Sequence, residues 1–96
     1  MVFLNYHSIT IKLHPSIPSD LKIIEGKIDS EMTLLDGLIS LLSKYKQISD
    51  LILDKSDVRP GYLLLSDKVE LKSTGKLNFP VLSDMEIRII PISHGG

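Results

Sequence analysis

Apolar and polar residues alternate along the first part of the chain, a period that is typical of a half-buried β-strand. The alternation predicts a first strand over residues 3–13. Its apolar face is formed by Ile9, Ile11 and Leu13. Two prolines in residues 14–20 fix the backbone and remove hydrogen-bond donors, so we expect the strand to end there. A second strand is predicted over residues 21–28, with Gly26 as a candidate bulge, and completes an N-terminal hairpin.

The apolar spacing then changes to three and four residues, which indicates an amphipathic helix. Its stripe consists of Leu34, Leu35, Leu38, Ile39, Leu41, Leu42 and Tyr45. Thr33 precedes the stripe and Asp36 follows three residues later, a pattern like a capping box that marks a helix start. Gly37 inside this helix should cost about 1 kcal/mol relative to alanine, and a close approach to the sheet would explain it.

The second half of the chain contains short apolar segments separated by turns. Residues 48–57 mix polar and apolar positions, and we expect at most a short helical turn there. Pro60 and Gly61 suit the second and third positions of a type II turn that begins at Arg59. Residues 62–65 form a continuous apolar run, which is consistent with a central strand buried on both faces.

Two further strands are predicted, over residues 69–72 and 86–92. In the last strand, Met85, Ile87 and Ile89 share one side, and Glu86 and Arg88 share the other. The order hairpin, helix, strands and final strand predicts an α+β protein with the β-grasp fold. We expect a mixed four- to five-stranded sheet, with one main helix across one face and the first and last strands parallel at its centre. Residues 1–92 would form this domain, and residues 93–96 a flexible diglycine tail.

Composition excludes several kinds of chemistry. The 96 residues carry a net charge of −1 with no basic run, so we expect no direct binding to nucleic acid or to a membrane. Cysteine is absent, which excludes disulfides, thiol nucleophiles and thiolate metal sites. His7, His14 and His94 lack metal-ligand spacing, and nucleotide-binding loops are missing. We therefore expect no catalytic residue, no metal and no bound cofactor.

The N-terminus lacks the basic and apolar segments of a signal peptide, and no apolar stretch is long enough to span a bilayer. These features predict a cytoplasmic protein, which we expect to be a monomer.

The tail Ser93-His94-Gly95-Gly96 is the strongest candidate for function. Two terminal glycines are usually a frayed end or an expression scar. Here the pair ends the sequence and closely follows a predicted strand, so we expect a rigid scaffold to present it. Four residues reach at most ~14 Å and could thread a partner's narrow channel, and Gly95 and Gly96 would fit a part of it that is too tight for side chains. The carboxylate itself is a poor electrophile, so reaction at Gly96 would require activation by ATP.

Several segments of the second half resemble the ubiquitin-related modifier family. They are Val58-Arg59-Pro60-Gly61-Tyr62-Leu63-Leu64-Leu65, the following strand and turn with Glu70 and Gly75, Leu82-Ser83-Asp84, and Ile92-Ser93-His94-Gly95-Gly96. Members of this family are ubiquitin-like sulfur carriers and protein modifiers, related to the small subunit of molybdopterin synthase and to small archaeal modifier proteins. The resemblance is close from Val58 onward and rests on element order before it.

The resemblance implies that the chain is a protein co-substrate and not an enzyme. An adenylating and sulfurtransferase enzyme of the ubiquitin-activating type would use ATP and a persulfide to make a thiocarboxylate at Gly96. That sulfur would serve a tRNA thiolation enzyme, or the activated end would be joined to lysines of target proteins. Gly95, His94 and Ser93 would be recognised as the tail, although His94 could equally be a solvated side chain.

A candidate partner surface lies beside the tail in the sequence. Ile90 and Ile92 could contact the activating enzyme, although at least one of them is expected to pack in the core. Arg59 could pair with acidic residues of that enzyme. Two other functions remain open at this point. The chain could be the small sulfur-carrier subunit of molybdopterin synthase, or a non-catalytic β-grasp binding module whose terminal glycines are accidental.

Overall fold

The computed structural model describes residues 5–92. In chain order, the elements are β1 (Tyr6–Leu13), β2 (Ile23–Asp29), α1 (Leu34–Leu42), α2 (Lys46–Ile52), β3 (Leu53–Asp54), β4 (Asp57–Val58), β5 (Tyr62–Ser66), β6 (Val69–Glu70), a 3-10 turn (Lys76–Asn78) and β7 (Met85–Pro91). The two short strands β3 and β4 pair only with each other, and the other five strands form one sheet. None of the helices in the described part of the chain is long and apolar enough to span a bilayer.

The main sheet has the strand order β2-β1-β7-β5-β6. β1 and β7 run parallel, with Ile9 opposite Met85 and Leu13 opposite Ile89, and the other pairs are antiparallel. The first and last strands of the sheet are therefore neighbours near its centre. This topology confirms the predicted α+β class and the β-grasp arrangement of a mixed sheet.

The start of α1 matches its sequence signal, because the Thr33 hydroxyl accepts a hydrogen bond from the Asp36 N–H at 3.1 Å. Its end differs from the prediction. α1 stops at Leu42, and Tyr45 becomes the residue before a second helix, α2, where only a short turn was expected. The apolar stripe continues across this break because Tyr45 packs against the core from the new position.

Two glycines allow α1 to lie close to β2. A Cβ atom added at Gly26 would collide with the Leu41 side chain, and one added at Gly37 would collide with Ile28. The expectation that Gly37 marks a close approach to the sheet is confirmed. The predicted bulge at Gly26 is wrong, because the β1–β2 register runs without interruption and places Gly26 opposite Ile9.

The core lies between α1 and the sheet face that carries Gly26. Ile9, Ile11, Ile87 and Ile89 on the two central strands are at most 1% exposed. Alternation places the neighbouring residues of these strands on the opposite face, which is called the outer face below.

The strands after Gly61 differ from the sequence prediction. β5 lies fourth in the sheet, and only Leu64 is fully buried, since no layer within residues 5–92 covers the outer face. β6 is limited to Val69–Glu70, where four residues were predicted. It ends early because the Glu70 carboxylate accepts the backbone N–H groups of Lys72 and Ser73, at 3.2 and 2.7 Å, and this turns the chain. β7 is one residue offset from its prediction, at Met85–Pro91.

Candidate functional site

The structure describes the point from which the candidate tail leaves the sheet. Ser93, His94, Gly95 and Gly96 lie outside the described residues. The predicted roles of these residues in recognition and at the reactive end therefore stay predictions. What the structure defines is the framework that ends at Ile92.

The last residues of β7 are held from both sides. The His14 N–H donates to the Ile89 carbonyl at 3.0 Å, at the end of β1. On the β5 side, the Ile92 N–H donates to the Gly61 carbonyl at 2.7 Å and extends the β5–β7 ladder by one hydrogen bond. Pro91 between them has no N–H, but that nitrogen points away from β5, toward the side where β1 has already ended. A proline is therefore tolerated at the end of this inner strand.

The turn before β5 supplies the acceptor for Ile92. Gly61 has a φ angle of +106°, which confirms the predicted type II turn, since its third position requires positive φ. A Cβ atom at Gly61 would meet no atom within 4 Å, so backbone conformation alone explains the glycine. The other end of the turn is fixed by the Arg59 N–H, which donates to the Ile52 carbonyl at 2.7 Å.

The three residues of the candidate partner surface are placed differently. Ile92 is 40% exposed, and its hydrogen bond to Gly61 brings it to the same end of the sheet as the exposed Arg59. Ile90 is half-buried on the outer face, where it lies opposite Leu63 of β5. The structure adds Leu63 to this surface. Sequence reasoning missed it because the run 62–65 was interpreted as buried on both faces.

Charged side chains flank this apolar surface on the outer face. Glu86 accepts from Lys12 at 3.3 Å and from Arg88 at 3.4 Å. The hydrogen bond from Lys12 is the main cause that lowers the pKa of the Glu86 carboxyl; a weaker desolvation opposes it, and Arg88 adds to it. The predicted alternation of β7 is confirmed, since Glu86 and Arg88 share this face.

The opposite end of the sheet carries an apolar groove of about 630 Å³ that the sequence did not reveal. Phe79 and Leu82 on its rim are 65% and 89% exposed. Near this end, the His7 Nδ1 lies 3.8 Å from the Asp84 carboxylate, whereas His14 contacts Ser16 in the loop after β1. Across residues 5–92, no three His, Asp or Glu side chains are grouped as a metal site would require.

Comparison with known proteins gives matches among solved structures alone. No protein-family model and no curated protein sequence matches the chain. SAMP1 from Haloferax volcanii superposes with a TM-score of 0.71 at 17% identity, over 93% of this chain and 99% of that one. The small archaeal modifier protein 1 from Methanosarcina acetivorans gives 0.64 at 20% identity, over 96% and 99%. Urm1 from Trypanosoma brucei gives 0.62 at 22% identity, over 96% and 98%.

These superpositions cover nearly the whole of each chain, so the likeness includes the sheet, the helix on it and the strand that leads to the C-terminal residues. At identities this low, the likeness concerns the fold. The resemblance seen in the sequence is confirmed at that level: the chain has the ubiquitin-like β-grasp fold found in SAMP1 and Urm1.

Proposed function

We propose that this chain is a ubiquitin-like sulfur carrier and protein modifier that reacts at the carboxylate of Gly96. One observation carries the proposal. The inner strand β7 ends at Pro91, the following residue Ile92 is anchored to Gly61 by a 2.7 Å hydrogen bond, and the next residues in the sequence are Ser93-His94-Gly95-Gly96. The fold shared with SAMP1 and Urm1 supports the same function.

The chemistry begins with activation of the tail. A Gly96 carboxylate oxygen attacks the α-phosphorus of ATP, which gives an acyl adenylate and releases pyrophosphate. A persulfide of the activating enzyme then attacks the acyl carbon and displaces AMP. The resulting acyl disulfide is reduced by a second enzyme thiol, which leaves a thiocarboxylate on Gly96 and a disulfide on the enzyme. If a lysine amine attacks the carbonyl of the acyl adenylate instead, the acyl–phosphate bond breaks, AMP and a proton leave, and an isopeptide bond forms.

The chain contributes the Gly96 carboxylate and holds it in position, and its partners supply ATP, the persulfide, the thiol and the lysine amine. Gly95 and Gly96 lack the side chains that would block a narrow channel, and the four residues after Ile92 reach at most ~14 Å into it. Ile92 and Arg59 at the tail end, with Ile90 on the outer face, form the surface proposed to meet the activating enzyme. ATP is bound by that enzyme, so this chain requires no cofactor of its own.

The proposed recipient of the sulfur is a tRNA uridine thiolation enzyme, and target-protein lysines are the recipients in conjugation. We place the protein in the cytoplasm as a monomer without direct nucleic-acid binding. The main alternative recipient is molybdopterin synthase. Isolation of the tagged chain from its own cell, with identification of the proteins that copurify, distinguishes the two recipients. A stable complex with the large subunit of molybdopterin synthase would reassign the recipient to that enzyme.

Exchange of labelled pyrophosphate into ATP tests the activation step. The purified chain is mixed with the ubiquitin-activating-type enzyme from the same cell, and we expect exchange that depends on this chain. A variant that ends at His94 should fold normally by circular dichroism and support no exchange. A full-length Ser40→Ala variant, changed on the exposed face of α1, serves as the control. Equal exchange with the shortened variant would refute a reaction at Gly96, and no exchange with either form would favour a binding module.

A further inference from the structure

We propose that Lys72 is a positioning residue for the C-terminal tail. Its ammonium group holds the turn at residues 59–62, and that turn supplies the acceptor for the last hydrogen bond of β7. This inference rests on the proposed function, because positioning matters only if the residues after Ile92 enter another protein.

The Lys72 ammonium contacts the turn on both of its sides, and these two contacts are called the clamp below. The Nζ atom donates to the Arg59 carbonyl at 3.4 Å and to the Tyr62 carbonyl at 3.2 Å. These two carbonyls lie on either side of Pro60-Gly61, the turn in which Gly61 adopts a positive φ angle. Fixing both sides fixes the Gly61 carbonyl between them, which is the acceptor for the Ile92 N–H.

The position of Lys72 is itself fixed by Glu70. The Glu70 carboxylate accepts the Lys72 N–H at 3.2 Å and the Leu64 N–H at 3.1 Å, so it ties the turn after β6 to the middle of β5. The Lys72 side chain then runs, half-buried, along a depression that Pro60 and Leu77 also line. A chain of contacts thus leads from Glu70 through Lys72 and Gly61 to Ile92.

Beyond Ile89, the end of β7 is held by backbone hydrogen bonds on its β5 side alone among the described residues. β1 ends at Leu13, and its last contact with β7 is the hydrogen bond from the His14 N–H to the Ile89 carbonyl. Pro91 provides no N–H, so among the described residues the Ile92 N–H is the last backbone donor that fastens β7 to a neighbouring strand. Movement of the Gly61 turn would therefore change the direction in which the chain leaves the sheet.

Amide hydrogen exchange measured by NMR tests the clamp directly. Lys72→Met keeps most of the aliphatic stem and removes the ammonium, so the Ile92 amide should exchange about fivefold faster, in line with the loss of two long hydrogen bonds to the turn. The Ile11 amide in β1 should be unchanged. Lys72→Arg should restore slow exchange, and Lys44→Met, which removes an exposed lysine after α1, should behave like the wild type.

Kinetics with the activating enzyme provide the second measurement. If Lys72 positions the tail, Lys72→Met should raise KM for this chain with little change in kcat, and Lys72→Arg should restore KM. Unchanged exchange at Ile92 in Lys72→Met would overturn the clamp. An equal rise at Ile92 and Ile11 would also overturn it, since that result indicates a general loss of stability.

The failure of the proposed function would be recognised separately. If the Ile92 amide responds to Lys72→Met but even the wild-type chain supports no pyrophosphate exchange, the clamp stands and the carrier function is refuted. If the wild type is activated and KM is unchanged in Lys72→Met, the carrier function stands and the positioning role is refuted.

Discussion

Glu70 connects β5 to the turn after β6 through backbone hydrogen bonds. Burial alone would raise the pKa of its carboxyl group, but the N–H groups of Ser73, Leu64 and Lys72 outweigh it and lower the pKa below the usual value. A carboxyl with a lowered folded-state pKa stabilises the fold fully at pH values above its unfolded pKa. This contribution is lost as the pH falls through the folded pKa.

Glu70→Gln is expected to lower the free energy of unfolding by about 1 kcal/mol at neutral pH, because both carboxylate oxygens accept N–H groups here, whereas a glutamine side chain has one uncharged oxygen and an NH2 group that cannot accept. The difference from the wild type should shrink in acid as Glu70 becomes protonated. Urea unfolding at neutral and acidic pH measures both effects, with exposed Glu25→Gln as the control. A difference that is constant across pH would argue against the charged hydrogen bonds.

Gly61→Ala isolates the backbone cost of the turn, because the added methyl group meets no neighbour. A non-glycine residue at a φ of +106° should cost about 1–2 kcal/mol. Gly75→Ala is a matched variant, since Gly75 also has positive φ and open space around it. Thermal unfolding should show a loss of stability in both. Only Gly61→Ala should accelerate exchange of the Ile92 amide, and the same acceleration in Gly75→Ala would contradict the role given to the turn.

At the scale of elements, the contact between α1 and β2 depends on Gly37 and Gly26. Gly37→Ala should gain about 1 kcal/mol of helix propensity. It should lose about 1–3 kcal/mol from crowding, because the new methyl group overlaps the buried Ile28 side chain. We therefore expect a net loss in chemical denaturation, whereas Ser40→Ala on the exposed face of the same helix should cause no loss.

A double-mutant cycle identifies the cause. In an Ile28→Ala background the overlap is absent, so Gly37→Ala should become neutral or stabilising. If Gly37→Ala costs the same in both backgrounds, crowding against Ile28 is not the reason for the glycine.

The elements that the sequence predicted well are those whose signal is local. Thr33 and Asp36 fixed the start of α1, and Ile87 and Ile89 marked the buried side of β7. The errors concern features that side-chain contacts of the folded protein decide. β6 is short because the Glu70 carboxylate captures later N–H groups, and Gly26 serves the packing of Leu41, which a strand pattern does not encode.

At the scale of the whole molecule, an exposed apolar residue lies at each end of the sheet, and the two can be compared. Ile92 lies at the tail end, and Leu82 lies beside the groove at the other end. Ile92→Ser is expected to raise KM for the activating enzyme about tenfold, because the few residues that dominate an interface each cost more than about 1 kcal/mol when truncated and the proposal makes Ile92 one of them. Leu82→Ser should leave KM unchanged. Steady-state kinetics measures both, and a larger effect at Leu82 would move the partner surface to the groove.

The candidate site was only partly predictable, because some of its contacts form only in the folded protein. The sequence pointed to the tail and to Arg59 and Ile92, and the Gly61 hydrogen bond places these last two at one end of the sheet. Lys72 gave no signal, because its ammonium contacts carbonyls ten and thirteen residues away. Contacts of this kind depend on the folded turn and are not visible in a local pattern.

Intact-mass analysis of the protein from its own cell tests the central claim most directly. We expect a fraction whose mass is raised by the replacement of one oxygen with sulfur, located at Gly96 by fragmentation. Lysines of other proteins that carry residues 89–96 as a remnant, after trypsin cleaves behind Arg88, would show the modifier function. An unmodified carboxylate, with no such remnant even when the activating enzyme and ATP are supplied, would contradict the account.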